Sequence, residues 1–128
     1  GRRIRVTART TLDGALLGTG IPFRSHQSEK LSGYIKVLEE LAPQTPGIRR
    51  AGSAALDLAY IAAGRFDAFW EMGLKPWDIA AGILLIQEAG GLISDFQGGN
   101  QYMDSGNIVC GNPKCFKHVL QVINQYLA

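Results

Sequence analysis

Three short stretches carry the residue types that could do chemistry. They are Gly52-Ser53-Ala54-Ala55, the acidic end of the aromatic run Phe69-Trp70-Glu71, and Asp78 just after Pro76-Trp77. Small residues with a serine at a helix start leave backbone amides open to an anion, because the first N–H groups of a helix have no partner within it. Carboxylates such as Glu71 and Asp78 accept from hydroxyl groups or bind hard cations through oxygen. Two helix starts and two carboxylates brought together would suit a phosphate and a cation held beside it. The same residues also have an ordinary structural use: Ser53 as an N-cap, and Asp78 as an acid favoured by the dipole of its helix.

The elements that must position these residues follow from periodicity. From Trp77 to Gly91 the sequence reads W-D-I-A-A-G-I-L-L-I-Q-E-A-G-G, with no charged or strongly polar side chain between Asp78 and Gln87. Apolar residues on all sides predict a helix covered by other layers, with Pro76 in its first turn and Gly90-Gly91 as its stop. Leu92 to Phe96 then reads as a strand. Upstream, Leu56, Leu58, Ala59, Ile61, Ala62 and Ala63 predict a helix starting at Ser53 and stopping at Gly64, and Phe66 to Met72 predicts a strand that Phe69 makes irregular.

Ile4 to Ala8 and Ala15 to Thr19 alternate like two strands around the turn Thr11-Leu12-Asp13-Gly14, which predicts a hairpin whose first strand carries Arg2, Arg3, Arg5 and Arg9. Those arginines suit a solvated edge strand, or a contact with nucleic acid or an acidic protein. Ser28 to Leu41 predicts a helix with Leu31, Ile35, Leu38 and Leu41 on its apolar face, ended by Pro43 and Pro46. A short strand follows at Ile48 to Ala51. Beyond a polar loop at 97–101, a strand at Asn107 to Gly111 leads into a helix from Pro113 with Phe116, Val119, Leu120, Ile123 and Leu127 inward. The alternation predicts an α/β fold, a layered α/β/α domain with a mixed sheet spanning residues 1–128.

Composition agrees with a packed domain: of 128 residues, 46% are hydrophobic and 19% charged. The net charge of +2 gives no global case for nucleic acid. Two cysteines, Cys110 and Cys115, lack paired metal-ligand spacing, and with no signal peptide or long apolar span they point to a reduced cytoplasmic setting and no membrane. His26 and His118 have no partner pattern, Glu88 and Lys75 read as solvated or ion-pairing groups, and Trp70 and Trp77 as core or interface aromatics. The abrupt start suits a piece of a longer protein.

Trp77-Asp78-Ile79-Ala80-Ala81-Gly82 continuing to Glu88-Ala89-Gly90-Gly91 resembles the C-terminal signature of the inositol monophosphatase family. Gly52-Ser53-Ala54-Ala55, Phe69 to Gly73 and Gly106-Asn107-Ile108-Val109 are similar to that family in order and spacing. Arg50 to Tyr60 and Gly18 to Phe23 most resemble its bacterial SuhB type. The resemblance implies the C-terminal half of an αβαβα fold and Mg²⁺-dependent hydrolysis of a small-molecule phosphate monoester, with inositol 1-phosphate first among substrates. It implies that Asp78 ligates Mg²⁺, that Glu71 hydrogen-bonds an inositol hydroxyl, and that Gly52, Ser53 and Ala54 contact substrate. Homodimers are usual in the family.

The sequence departs from the family's pattern in one respect: the glutamate-containing motif and the Asp-Pro-(Ile/Leu)-Asp-Gly-Thr motif of its N-terminal half have no match here. Asp13, in Leu12-Asp13-Gly14, lacks the flanking Asp-Pro and Thr and reads as a turn residue. Without that half, Asp78 alone cannot supply the several oxygens that Mg²⁺ needs, so the chain by itself is expected to be inactive. Two alternatives remain under the resemblance. One is a phosphatase for a nucleotide bisphosphate or fructose bisphosphate. The other is a non-catalytic module in transcription antitermination and ribosomal RNA synthesis, with RNA polymerase or antitermination factors as partners.

Overall fold

A computed structural model of the chain describes residues 4–20, 30–50 and 52–128. Strands at Leu16–Thr19 (β1), Gly47–Arg49 (β2), Ala68–Glu71 (β3), Leu92–Ser94 (β4) and Ile108–Gly111 (β5) form one five-stranded sheet in the order β2-β1-β3-β5-β4. β1 runs parallel to both β2 and β3, whereas β5 is antiparallel to β3 and β4. The helices are Leu31–Leu41 (α1), Ala54–Ala62 (α2), Pro76–Glu88 (α3), the single turn Tyr102–Ser105 (α4) and Pro113–Leu127 (α5).

Helices cover both faces of the sheet. Tyr34, Val37 and Leu41 of α1 join Phe116, Val119 and Ile123 of α5 in a core against Leu17, Ala68, Trp70 and Val109. On the other face, Leu58 and Ile61 of α2 join Ile79 and Ile86 of α3 against Phe69, Ile108 and Cys110. β3 is therefore buried on both sides, Ala68 and Trp70 toward one core and Phe69 toward the other. That double burial is why its sequence does not alternate apolar with polar. The layered α/β/α arrangement with a mixed sheet is the expected one.

The expected hairpin is not formed. The turn at residues 11–14 exists, with the Ala15 N–H donating to the Leu12 carbonyl at 2.9 Å. However, both edges of β1 are already paired, to β2 and to β3, so residues 4–8 have no ladder to join. They are held instead by scattered contacts: Val6 N–H to the Ala89 carbonyl at 3.0 Å, and the Thr7 hydroxyl to Asp67. Arg5 and Arg9 consequently lie on irregular chain, Arg9 pairing with Asp67 at 3.4 Å. Arg2 and Arg3 lie outside the described residues. The sheet is mixed because of β5 and β4, not because of its first strand.

Two helix faces also differ from expectation. In α1 the buried residues are Tyr34, Val37 and Leu41, while Leu31 and Ile35 are exposed; the Tyr34 ring packs beside Trp70, with centroids 6.5 Å apart, so the inward stripe runs through Tyr34. Ser28 lies outside the described residues. α3 is not covered all round: Ile79, Gly82 and Ile86 face inward, but Leu84 is 59% and Trp77 77% exposed. Nothing in the described residues lies over that outer face, so its apolar side chains meet solvent. The strand after α3 ends at Ser94, because Asp95 turns the chain by accepting the backbone N–H groups of Gln97, Gly99 and Gln101.

Candidate functional site at the carboxyl ends of the parallel strands

β1, β2 and β3 point the same way, and their carboxyl ends lead to Gly20, to the start of α2 and to Glu71 with the start of α3. In open α/β sheets this edge is where helix N-termini and loop side chains gather. Ser53, in extended conformation, caps α2: its hydroxyl accepts the Leu56 N–H at 3.3 Å. Gly52 before it takes φ +83°, a backbone conformation that L side chains rarely adopt. Gly52 and Ser53 are exposed and Ala54 half-buried, so the helix start is open to a ligand.

Asp78 is half-buried at the start of α3, where it closes a reciprocal cap with Lys75. Its backbone N–H donates to the Lys75 carbonyl at 2.9 Å, and its Oδ2 accepts the Lys75 N–H at 3.0 Å. One carboxylate oxygen is thus committed to the helix, and the other makes no hydrogen bond among the described residues. Lys75 itself is exposed. The cap and the ligand reading of Asp78 are compatible, because each uses a different oxygen.

Glu71 ends β3 half-buried. A Cβ placed on Gly20 would stand 2.2 Å from the Glu71 carboxyl carbon, so the glycine after β1 lets Glu71 take this position and a larger residue would make its carboxylate move. Beside it, the Tyr34 phenol lies 3.3 Å from the Thr19 hydroxyl. Burial pushes the Tyr34 phenol up, the Thr19 bond pulls it down, the Glu71 charge raises it and the Arg50 charge lowers it. Thr19, Tyr34, Glu71 and Arg50 therefore share one electrostatic neighbourhood at this edge.

α2 and α3 are held side by side by Gly82. A Cβ there would lie 2.6 Å from the Leu58 side chain, so the glycine of W-D-I-A-A-G allows the two helices to touch. This places the Ser53 and Asp78 helix starts on adjacent elements. Among the described residues no group of three or more His, Cys, Asp or Glu side chains is arranged to surround a metal ion. The donor set fits a contribution to a hard-cation site through the free oxygen of Asp78, and does not by itself complete one.

The family profile for the inositol monophosphatase family matches residues 1–128. The chain belongs to the inositol monophosphatase family. It is 59% identical over 127 residues to the Nus factor SuhB of Pseudomonas aeruginosa, covering 99% of this chain and 47% of that protein. It is 52% identical over 120 residues to the Nus factor SuhB of Escherichia coli K12, covering 94% of this chain and 44% of that one. The crystal structure of the extragenic suppressor protein suhB from Bartonella henselae superposes with a TM-score of 0.90 at 42% identity, covering 97% of this chain and 47% of that one. The Thermotoga maritima IMPase superposes with a TM-score of 0.84 at 36% identity, over 99% of this chain and 47% of that one. The chain thus spans about half the length of the inositol monophosphatase and SuhB relatives it matches.

One residue of this neighbourhood escapes the sequence reading. Asp57, in the first turn of α2, is only 1% exposed and its Oδ1 has no hydrogen-bond partner among the described residues. The signal was present, since Asp57 interrupts an otherwise apolar run, but an acid in a first helical turn reads equally as a dipole partner on the surface.

Proposed function

We propose that this chain is the substrate-facing half of a metal-dependent phosphate-monoester hydrolase, with inositol 1-phosphate as substrate. The observation that supports the reading is that two capped helix starts, Ser53 on α2 and Asp78 on α3, and Glu71 all follow the carboxyl ends of parallel strands in a member of this family. In this reading the exposed start of α2 binds the substrate through Gly52, Ser53 and Ala54. Glu71 accepts a hydroxyl of the sugar-like ring, and the free oxygen of Asp78 is one ligand of Mg²⁺. Mg²⁺ supplies positive charge against the phosphoryl oxygens and the departing alkoxide. The remaining ligands come from protein beyond these residues. The chain alone is inactive, and the working enzyme is a cytoplasmic homodimer.

Asp78→Asn in the full-length protein tests the assignment. Asparagine can still accept the Lys75 N–H but is a poor Mg²⁺ ligand, so the fold should persist while Mg²⁺-dependent release of phosphate from inositol 1-phosphate falls at least about 100-fold. Hydrolysis unchanged by the substitution overturns the metal role. Faster turnover of fructose bisphosphate or a nucleotide bisphosphate than of inositol 1-phosphate would move the substrate within the same reaction class.

A second reading rests on the relatives named Nus factors, which include the one at 59% identity. In it the chain serves transcription antitermination as a binding module with RNA polymerase or its factors, and catalysis is dispensable. Asp78→Asn separates the two: growth and antitermination preserved while hydrolysis is lost supports the module, and joint loss supports the enzyme.

A further inference from the structure

The edge strand β2 borders a groove of about 430 Å³ lined by Leu16, Arg49, Arg50, Tyr60, Arg65 and Phe66. None of the residues proposed for the phosphatase site lines it. Three of its six lining residues are arginines and none is acidic, in a chain whose net charge is only +2. Arg49 and Arg65 are exposed and have no ion-pair partner among the described residues. The Arg65 guanidinium lies over the Tyr60 ring with its carbon 5.6 Å from the ring centroid. Tyr60 in turn meets Phe66 edge-on, with centroids 5.4 Å apart and an interplanar angle of 82°.

These features select a ligand chemistry. A guanidinium over an aromatic ring makes a cationic stacking surface. Arg49 on the same wall suits phosphate oxygens, which guanidinium groups meet through paired N–H donors. Leu16 and Phe66 make the rest of the wall apolar, which a bare phosphate would leave wet. The volume lies within the roughly 300–1,000 Å³ of small-molecule sites. We propose that this groove binds a nucleotide unit, with its phosphate against Arg49 and Arg65 and its base along the Arg65–Tyr60 stack. The unit comes either from a free nucleoside monophosphate or from a single strand, since both present a phosphate beside a flat base.

The test is equilibrium binding to the full-length protein in a chelator, which keeps any divalent-cation site silent, at roughly 50 mM salt. The probes are AMP, a fluorescently labelled hexanucleotide of single-stranded RNA, inorganic phosphate and polyglutamate. Saturable binding of the hexanucleotide or of AMP is expected, with the stronger of the two identifying the source. Arg65→Glu and Arg49→Glu, both at exposed positions, should each weaken it about tenfold, and Tyr60→Ala should do the same by removing the stack. Asp78→Asn should leave it unchanged. Absence of saturable binding by both nucleotide probes overturns the proposal. So does binding indifferent to Arg49 and Arg65, or competition by polyglutamate or inorganic phosphate as strong as by the nucleotides.

Discussion

The Asp67 carboxylate accepts the backbone N–H of Leu16 at 2.8 Å, so that a side chain from just before β3 fixes the first residue of β1. The same carboxylate, 4% exposed, takes the Thr7 hydroxyl, the Asn112 side-chain amide at 3.5 Å and the Arg9 guanidinium at 3.4 Å. One acid therefore ties the leading segment, two strands and the cap of α5 together. Asp67→Ala leaves several buried donors without an acceptor and should cost about 3 kcal/mol of stability, read as a lower denaturant midpoint. Thr7→Val removes this bond and the one that the Thr7 oxygen accepts from the Asn112 side-chain amide, and should cost about 1–3 kcal/mol.

Gly82 sets the spacing of α2 and α3. Gly82→Ala places a methyl group 2.6 Å from Leu58, and the overpacking should cost about 1–3 kcal/mol despite the better helix propensity of alanine. Pairing it with Leu58→Ala should recover part of that loss. In a double-mutant cycle of thermal midpoints, strict additivity would rule out this contact as the cause.

Ser53→Ala removes the side-chain acceptor for the Leu56 N–H and should destabilise α2 by about 1 kcal/mol, whereas Ser53→Asp should retain the cap. The two variants differ at the helix start in charge. If the start of α2 receives a phosphate, Ser53→Asp should raise KM for a phosphate monoester in the full-length protein more than Ser53→Ala does. Equal KM values would place the phosphate elsewhere.

Burial raises the Asp57 carboxyl from 3.8 to about 6. A folded-state value above the unfolded one means that the folded chain holds the proton more tightly. Stability is therefore greatest when the group is protonated in both states, and declines as pH rises from about 4 to about 6. The full loss corresponds to about 3 kcal/mol. Asp57→Asn should flatten that part of the stability–pH curve, as followed by chemical denaturation at several pH values.

α2, α3, β5 and α5 are legible in the sequence because each carries a strong period or a clear stop, such as Pro76, Gly64 or Gly90-Gly91, and β3 is legible despite the alternation that Phe69 breaks. The sequence also marks Ser53 as a cap, which the Leu56 bond bears out. It misleads at residues 4–8, because alternation of arginine with aliphatic residues says nothing of whether a strand edge is available. The inward arc of α1 runs through Tyr34, a residue with a polar tip whose ring packs beside Trp70, and not through Leu31 and Ile35. Asp95, within the strand expected from Leu92 to Phe96, instead organises three backbone amides into the turn that closes β4. Burial is the largest single influence on Asp95 and raises its carboxyl, but the bonds from the Gly99, Gln101, Gln97 and Gly98 amides together prevail and hold it below the ordinary carboxylate range. What the sequence lacked in each case was the identity of the neighbour.

The two tryptophans of this chain occupy opposite environments, Trp70 at 0% and Trp77 at 77% exposure. Their emission is accordingly split: Trp70 reports a dry, fixed interior, and Trp77 a wet surface at the start of α3. Anything that settles over the outer face of that helix dehydrates Trp77 alone. The protein thus carries its own optical gauge of coverage at the edge where Asp78 sits, and quenching by iodide or acrylamide can follow it without a label.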